Sequence, residues 1–304
     1  MSDLSVELGP ASAGGPSDDR ARGGSLWADA WRELWHNPIF VLSGLAVLAI
    51  LSMAAFPSLW TNADPEDCEL AQGFEPPSGD HVFGTTFQGC DMYSHVVYGA
   101  RPSIIIAVFV TAAVTVIGSA LGIYAGYYGG WIDTVVSRIT DIFLGIPFIL
   151  GALLFLALIG DQSITTVSLI LVALSWTPIT RIMRGSVISV KSQDYVEAAR
   201  ALGASNISII VRHILPNSIA PVIVLATLYL GVFVSAEATL TFLGAGLQVP
   251  EISWGITISE GQLLAVNQEV PHLLAFPCAA LIVTVLSFIL MGDAMRDALD
   301  PRSR

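Results

Sequence analysis

The densest group of polar and small residues lies between two apolar runs, in Lys191–Asn217, which reads KSQDYVEAARALGASNISIIVRHILPN. Ser192 followed by Asp194 predicts a helix start, because a hydroxyl caps free backbone N–H groups and a carboxylate in the first turn suits the helix dipole. Arg200 in the last turn and Gly203 just beyond it predict the helix end. These residue types favour a short helix that docks against another surface.

This predicted helix has two unlike faces, and a second short helix follows it. The first face consists of Tyr195, Ala198, Ala199 and Leu202. The charged face consists of Asp194, Glu197 and Arg200. Glu197 and Arg200 are three positions apart and can form an ion pair. The second helix is predicted to start at Ser205 and to bury Ile207, Ile210, Val211 and Ile214, as far as Pro216. We interpret the segment as a compact helical elbow.

The small number of basic residues and their placement argue against binding of both nucleotides and nucleic acids. The only lysine is Lys191, and no glycine pattern of the P-loop form G-x-x-x-x-G-K-[ST] precedes it. We therefore expect no ATP hydrolysis by that machinery, and no cofactor or metal on this chain. The net charge of −12 argues against nucleic acid, which requires a basic footprint.

Glu237 is the only acidic residue well inside an apolar run, where an ionisable side chain is costly. Two interpretations are open at this point. Glu237 contacts a transported molecule or a partner chain, or it is a buried, hydrogen-bonded glutamate near the outer interface.

The composition of the chain predicts which elements position these residues, since 54% of the residues are hydrophobic and only 12% are charged. A water-soluble fold of this size cannot hide so much apolar surface. Six charge-free runs are long enough to cross a bilayer as helices. They are Ile39–Trp60, Pro102–Gly126, Ile142–Gly160, Gln162–Thr180, Ile214–Ala236 and Leu273–Gly292. The fold class is therefore an all-α membrane protein with six transmembrane helices.

The basic residues predict the orientation of these spans. With the N-terminus inside, twelve of the thirteen Lys and Arg residues fall in inner segments, and only Arg101 lies outside, at the edge of the second span. This asymmetry follows the positive-inside rule and predicts that both termini are cytoplasmic.

The predicted outer loop, residues 61–99, contains Cys68 and Cys90, which would then lie on the oxidising side of the membrane. A disulfide between them is predicted, and two unpaired thiols are the alternative. A metal site is less favoured, because the nearby His81 and His95 give no tight ligand spacing. Cys278 lies inside the sixth run and is interpreted as packing.

Other segments carry weaker signals. Residues 1–24 are predicted to be disordered, and residues 25–37 to form an amphipathic helix in the membrane interface, since Trp27, Trp31 and Trp35 share a face with Leu34. The six-helix transmembrane domain would then cover residues 38–304. Gly118, Gly122 and Gly126 predict close helix packing inside a bundle. The outer loop 245–271, with Trp254 at the interface, covers the pathway, contacts a partner protein on the outer side, or is a passive solvated loop.

A family resemblance rests on the elbow. Glu197-Ala198-Ala199, Gly203 and Leu215-Pro216 at this spacing are similar to the EAA loop of ABC importer permeases. His213 stands where the general motif has an aliphatic residue, and HILPN is typical of the peptide and nickel branch. The motifs YAGYYGGWIDTVVSRITDIFLGIP, EATLTFLGAGLQVP and GDAMRDALDPR also resemble that branch, the last its "C" type. Where the family shows FGTD and Gly-Arg-Asp, this chain has FGTT and Gly-Cys-Asp.

The resemblance implies a type I importer-like permease fold in a bacterial-type cytoplasmic membrane. It also implies a second homologous permease, two cytoplasmic ATPases that bind ATP and Mg, an extracytoplasmic binding protein and a peptide substrate. The contact with the ATPase would involve Tyr195, Glu197, Ala198, Ala199, Arg200, Leu202, Gly203, His213, Leu215 and Pro216.

Three other functions compete with peptide import. A nickel or other small-solute permease would use the same loop. A secondary transporter would need ionisable groups at mid-membrane or broken helices in repeated halves, and the sequence shows one acid and no convincing inverted repeat. A membrane protease would need a catalytic pair within the spans, and no His–Ser or Asp–Asp arrangement is found there.

Overall fold

The structure, a computed structural model, describes residues 26–267 and 270–299. The helices up to the elbow are α1 Leu26–His36, α2 Pro38–Ala55, α3 Met92–Tyr128, α4 Gly130–Leu144, α5 Phe148–Ile159, α6 Ile164–Ser175 and α7 Thr177–Lys191. The elbow and the segments after it contain α8 Asp194–Ala201, α9 Asn206–Ile209, α10 Leu215–Ser218, α11 Ala220–Phe242, α12 Trp254–Asn267 and α13 His272–Leu299. The predicted disordered segment 1–24 lies outside the described residues.

The predicted six spans appear as four continuous helices and two bent pairs. Helices α2, α3, α11 and α13 are each long and apolar enough to cross a membrane. Helices α4 and α5 meet at 82°, and α6 and α7 meet at 42°, so the count is six if each pair is one span. The third and fourth spans are therefore not the single helices that we predicted. Pro147 precedes α5 and Pro178 lies in the first turn of α7, where proline lacks the N–H that a continuous helix needs.

The second span starts ten residues before the predicted Pro102, at Met92. Asp91 caps this helix, because its Oδ2 accepts hydrogen bonds from the backbone N–H of Ser94 at 2.8 Å and from its hydroxyl at 2.9 Å. The 37 residues of α3 extend over about 55 Å, more than a hydrocarbon core requires. The charge-free criterion missed this start because Arg101 lies inside the helix.

Close packing of α3 against α7 depends on the glycine stripe. A Cβ atom added to Gly118 would lie 2.8 Å from the Trp176 carbonyl oxygen, and one added to Gly122 would lie 2.7 Å from that of Thr180. Such distances are too short for any side chain, so the glycines let the two helices touch. This agrees with the packing interpretation of the stripe.

The outer segment, residues 60–91, is shorter than the predicted loop and is internally bonded. Cys68 and Cys90 form a disulfide across an antiparallel bridge. The ring of Phe83 stacks on that of Phe276 in α13, with centroids 4.0 Å apart. His272 Nε2 lies 3.2 Å from the carbonyl oxygen of Thr85. The segment is thereby joined to the N-terminal ends of α3 and α13.

The second predicted outer loop, 245–271, contains a helix, α12, and so is not a passive loop. Trp254 is buried, and its indole N–H donates a hydrogen bond to the Val96 carbonyl oxygen at 2.8 Å. The prediction of Trp254 at an interface was therefore wrong. The helix was missed because Gly255 and Gly261 lower helix propensity, whereas here each seats against a neighbouring helix.

Helix α1 lies against the last turns of α13. Leu34 packs with Ala294 and Ala298, whereas Trp31 and Trp35 remain exposed, with ring centroids 5.9 Å apart. Leu34 therefore does not share the environment of the tryptophans. Exposed tryptophans beside a span are typical of a helix in the membrane interface, and that location stays a prediction.

Candidate functional site

The first helix of the elbow, α8, forms close to the predicted position, but its cap differs. Gln193 stands at the N-cap and its side chain does not cap the helix, so the prediction that Ser192 caps the helix was wrong. The Ser192 hydroxyl donates instead to the Ser189 carbonyl oxygen at 3.0 Å, at the end of α7. Asp194 and Glu197 lie in the first turn and Arg200 in the last, as the helix dipole favours.

Almost all of the surface of α8 faces away from this chain. Val196 is its only buried residue, and Ala199 is partly buried. Leu202, just beyond the helix, is 88% exposed. The other exposed residues of this surface are Asp194, Tyr195, Glu197, Ala198, Arg200 and Ala201. The predicted small-residue face and the predicted charged face therefore both point away from the rest of the chain. The prediction missed Val196, whose buried side chain anchors the helix.

The charged side chains of α8 form no salt bridge with the residues that the structure describes. In residues 26–267 and 270–299, neither Glu197 nor Arg200 takes part in a salt bridge, so the ion pair that their spacing allows is not formed. Both side chains are exposed. The helix therefore presents two acidic, one basic and several apolar groups on a single surface.

Gly203 turns the chain from α8 into the second half of the elbow. Its φ is +81°, a left-handed conformation that glycine adopts at no steric cost. A Cβ atom at this position would meet nothing within 4 Å. The requirement for glycine here therefore comes from the backbone conformation alone, as the sequence predicted for a helix end.

The second half of the elbow begins at Ser205 as predicted, and its hydroxyl accepts the N–H of Ser208 at 3.3 Å. After α9 the chain makes a π-helical turn, Ile210–Ile214, and then α10. This wider turn changes which residues face inward. Ile209 and Ile214 are buried, whereas Ile207 and Val211 are more than half exposed, so those two were assigned to the wrong face.

The HILPN motif lies in this π turn and the start of α10. The rings of His213 and Tyr195 are 6.4 Å apart, which places the two halves of the elbow side by side. Asn217 Nδ2 donates to the His213 carbonyl oxygen at 2.6 Å. Leu215 is partly buried and Pro216 is exposed. The elbow thus brings together all ten residues predicted for the docking surface, but it buries none of them.

Tyr127, which sequence reasoning missed, lies beneath the elbow at the end of α3. Its hydroxyl donates to Asn206 Oδ1 at 2.7 Å. Its carbonyl oxygen accepts a hydrogen bond from Lys191 Nζ, and that nitrogen lies 5.6 Å from the centroid of the Tyr127 ring. The sequence contains a possible signal, because its single lysine and a cluster of tyrosines each lie at a helix end. The two are 64 residues apart, however, so their contact could not be predicted from the sequence.

Two ion pairs fix α7, which leads into the elbow, against α4. Arg181 Nη2 lies 2.5 Å from Asp141 Oδ1, and the guanidinium of Arg184 contacts both carboxylate oxygens of Asp133. Two-point Arg–carboxylate contacts define orientation as well as distance. The bent fourth span is thereby tied to the bent third span.

Glu237 is fully buried within α11, far from the elbow in sequence. Its carboxylate accepts a hydrogen bond from the Ser103 hydroxyl of α3 at 2.7 Å and one from the Thr241 hydroxyl at 3.0 Å. The Thr241 oxygen in turn accepts the N–H of Leu247 at 3.0 Å. This geometry favours the interpretation of Glu237 as a buried, hydrogen-bonded residue that joins α3, α11 and the following loop.

Comparison with known proteins identifies the architecture. The profile of the family described as binding-protein-dependent transport system inner membrane component matches residues 118–304. A second profile, the N-terminal TM domain of oligopeptide transport permease C, matches residues 25–77. The chain belongs to this family of transport-system inner membrane components. Its Glu-Ala-Ala elbow lies within the first matched region, so the resemblance drawn from the motifs is confirmed.

Individual relatives agree with the family. A dipeptide transport system permease protein of Alkalihalophilus pseudofirmus is 37% identical over 95% of this chain and 94% of its own length. A glutathione transport system permease protein of Pectobacterium atrosepticum is 34% identical over 91% of each chain. An oligopeptide transport system permease protein of Bacillus subtilis is 33% identical over 98% of this chain and 97% of its own.

Solved structures show the same fold. Two inward-facing structures of the MetNI methionine ABC transporter match with TM-scores of 0.52 and 0.55 at 22% and 21% identity. The match covers 69% and 68% of this chain and nearly all of the other. The predicted all-α permease fold is thereby confirmed. The family match and the curated relatives show that the chain is a membrane-embedded permease subunit of an ABC importer.

Proposed function

We propose that this permease carries short peptides inward as one half of a translocation pathway. A second, homologous permease would form the other half, with two ATPases below and a binding protein on the outer side. The observation that carries the proposal is the surface of α8. Its residues are exposed in this chain, while the helix is fixed at both ends to the transmembrane bundle.

The elbow has the composition of a docking surface. Leu202, Ala198 and Tyr195 supply apolar contact, and the unpaired charges of Glu197 and Arg200 supply orientation, the combination found at protein interfaces. We assign this surface to the ATPase. ATP and Mg would then bind to the ATPases, because the lysine and glycine pattern of a P-loop is missing from this sequence.

The orientation proposed for the chain is consistent with this docking. Twelve of thirteen Lys and Arg residues, including Lys191 and Arg200 of the elbow, lie in segments assigned to the inner side. Both termini are then cytoplasmic, and the disulfide of the outer segment lies in the oxidising compartment.

The cargo is proposed from the relatives. The three proteins compared above are named for dipeptide, glutathione and oligopeptide transport, so each carries a molecule with peptide bonds. Closure of the ATPases would push on α8 and turn the attached spans, a rigid-body change between inward-facing and outward-facing states.

The test is uptake by the whole complex. The chain is purified with the subunits that co-assemble with it and reconstituted into vesicles with the binding protein, and uptake of labelled dipeptide, pentapeptide and Ni²⁺ is measured. When ATP is supplied on the side of the membrane where the elbow lies, we expect peptide to accumulate on that side. A non-hydrolysable ATP analogue should give no accumulation. Accumulation of Ni²⁺ alone would replace peptide by metal as cargo, and uptake driven by a proton or sodium gradient without ATP would refute the ABC assignment of the motor.

A further inference from the structure

The inner end of the second span contacts the residues that flank the α8 segment, Lys191 before it and Asn206 after it, through a single residue, Tyr127. Tyr127 is buried in the last turn of α3, whereas its neighbour Tyr128 is exposed. Its two polar contacts go to Lys191, the last residue of α7, and to Asn206, the first residue of α9. These two residues stand immediately before and after the segment that contains α8 and Gly203.

Each contact has a distinct physical basis. The Tyr127 carbonyl oxygen belongs to the last turn of α3, where carbonyl groups have no partner within the helix. The Lys191 ammonium supplies that partner, suits the negative end of the helix dipole and lies 5.6 Å from the centre of the ring. On the other side, the phenol O–H donates to the Asn206 amide oxygen at 2.7 Å.

Few other contacts hold α8 in place. Val196 is its one buried residue, and the turn at Gly203 has open space around it. The glycine stripe fixes α7 along α3, but it ends at Gly126, just before Tyr127. The geometry therefore leaves Tyr127 as the point where α3, α7 and α9 meet.

We propose that Tyr127 is a positioning residue for energy coupling, which makes the elbow and the second span move as one body. This inference rests on the proposed docking of the ATPase on α8. Without the Tyr127 contacts, a push on α8 would tilt the elbow about Gly203 and would be lost before it reached α3. ATP would still be hydrolysed, but fewer solute molecules would cross for each ATP.

The experiment measures ATP hydrolysed per peptide transported in the complete reconstituted complex. For Tyr127→Phe, which removes only the hydroxyl, we expect this ratio to rise about two- to tenfold, the population shift that the loss of one such hydrogen bond produces. Lys191→Met keeps the length of the side chain without its charge and should raise the ratio at least as much. Tyr128→Phe removes an exposed hydroxyl from the adjacent position and should leave the ratio unchanged.

The partner side of the bond gives an independent check. Asn206→Ala removes the acceptor and should reproduce Tyr127→Phe, and the double variant should be no worse than either single one, because both remove the same bond. Asn206→Asp keeps an acceptor oxygen and should restore a ratio near that of the unaltered complex. If Tyr127→Phe reduces assembly, the two Asn206 variants carry the test.

The outcomes separate this inference from the proposed function. A lower melting temperature with an unchanged ratio in Tyr127→Phe and Asn206→Ala would show a structural role and overturn the inference. If the unaltered complex contains no ATPase or shows no ATP-dependent uptake, the docking proposal itself fails. A ratio that rises equally in Tyr128→Phe would also overturn the inference, since the effect would then not depend on the contacts of Tyr127.

Discussion

The outer segment, residues 60–91, and the inner elbow, residues 191–217, are attached to the bundle in opposite ways. The outer segment is closed on itself by the Cys68–Cys90 disulfide and by backbone bridges, and it caps α3 through Asp91. The elbow has no covalent link across it, one buried side chain in α8, and contacts to α3 that bracket the helix.

The difference indicates different mechanical roles. A segment that satisfies its own hydrogen bonds and is cross-linked has few alternative conformations, so it suits a fixed platform. A segment held at its ends, with its surface exposed, can accept a partner and transmit displacement. The following changes would break or sharpen this contrast.

Removing the disulfide should have the largest effect. In the chain-entropy model, a crosslink that closes a loop of this size stabilises it by about 3 kcal/mol, so Cys68→Ser with Cys90→Ser should speed amide exchange in residues 60–91 about a hundredfold. Exchange in the elbow should not change. Cys278→Ser, at the free cysteine, is the matched control. Equal acceleration in the elbow would show that the two regions are not independent.

Truncating the anchor of α8 should come next. Val196→Ala removes two buried methyl groups and should destabilise the elbow by about 2 kcal/mol, which exchange of the α8 amides would report. Leu202→Ala, at an exposed site, should leave that exchange unchanged and weaken binding of the ATPase. The contrast fails if Leu202→Ala unfolds the elbow or Val196→Ala does not.

Changing the turn between the two halves should have a smaller effect on stability and a clear effect on transport. Gly203→Val places a β-branched residue at positive φ, at a cost of about 1–2 kcal/mol, and should reduce ATP-driven uptake about tenfold with the chain still in the membrane. Gly203→Asn tolerates this conformation and should retain most uptake. Normal uptake by the valine variant would refute the proposal that the elbow transmits the push of the ATPases to the attached spans.

Adding a cap to α8 should have the smallest effect. Gln193 occupies the N-cap without a side-chain bond to the α8 amides, so Gln193→Ser supplies the missing acceptor and should stabilise the helix by about 0.5–1 kcal/mol. Exchange of the first α8 amides should slow a few-fold, and that of residues 60–91 should stay constant. Gln193→Ala provides no acceptor and should not slow exchange.

Much of the elbow could be predicted because its signals are local. Gly203 at positive φ and Ser205 at the N-cap each act on residues a few positions away. The cap of α8 was misassigned by one residue, since Ser192 bonds back to α7. The buried face of the second half was wrong because a π turn changes the number of residues per turn, and the apolar pattern of Ile207–Ile214 does not reveal such a turn.

The sequence by itself determined that the chain is solvated by lipid, that six apolar runs can span the bilayer, and that a motif-bearing elbow separates the last two pairs of runs. These properties are local, because hydrophobicity and helix ends are set residue by residue. The tertiary structure alone decided the burial of Trp254 and Glu237 and the place of Tyr127 beneath the elbow. Each of these depends on contacts between residues far apart in the chain, which no local pattern encodes.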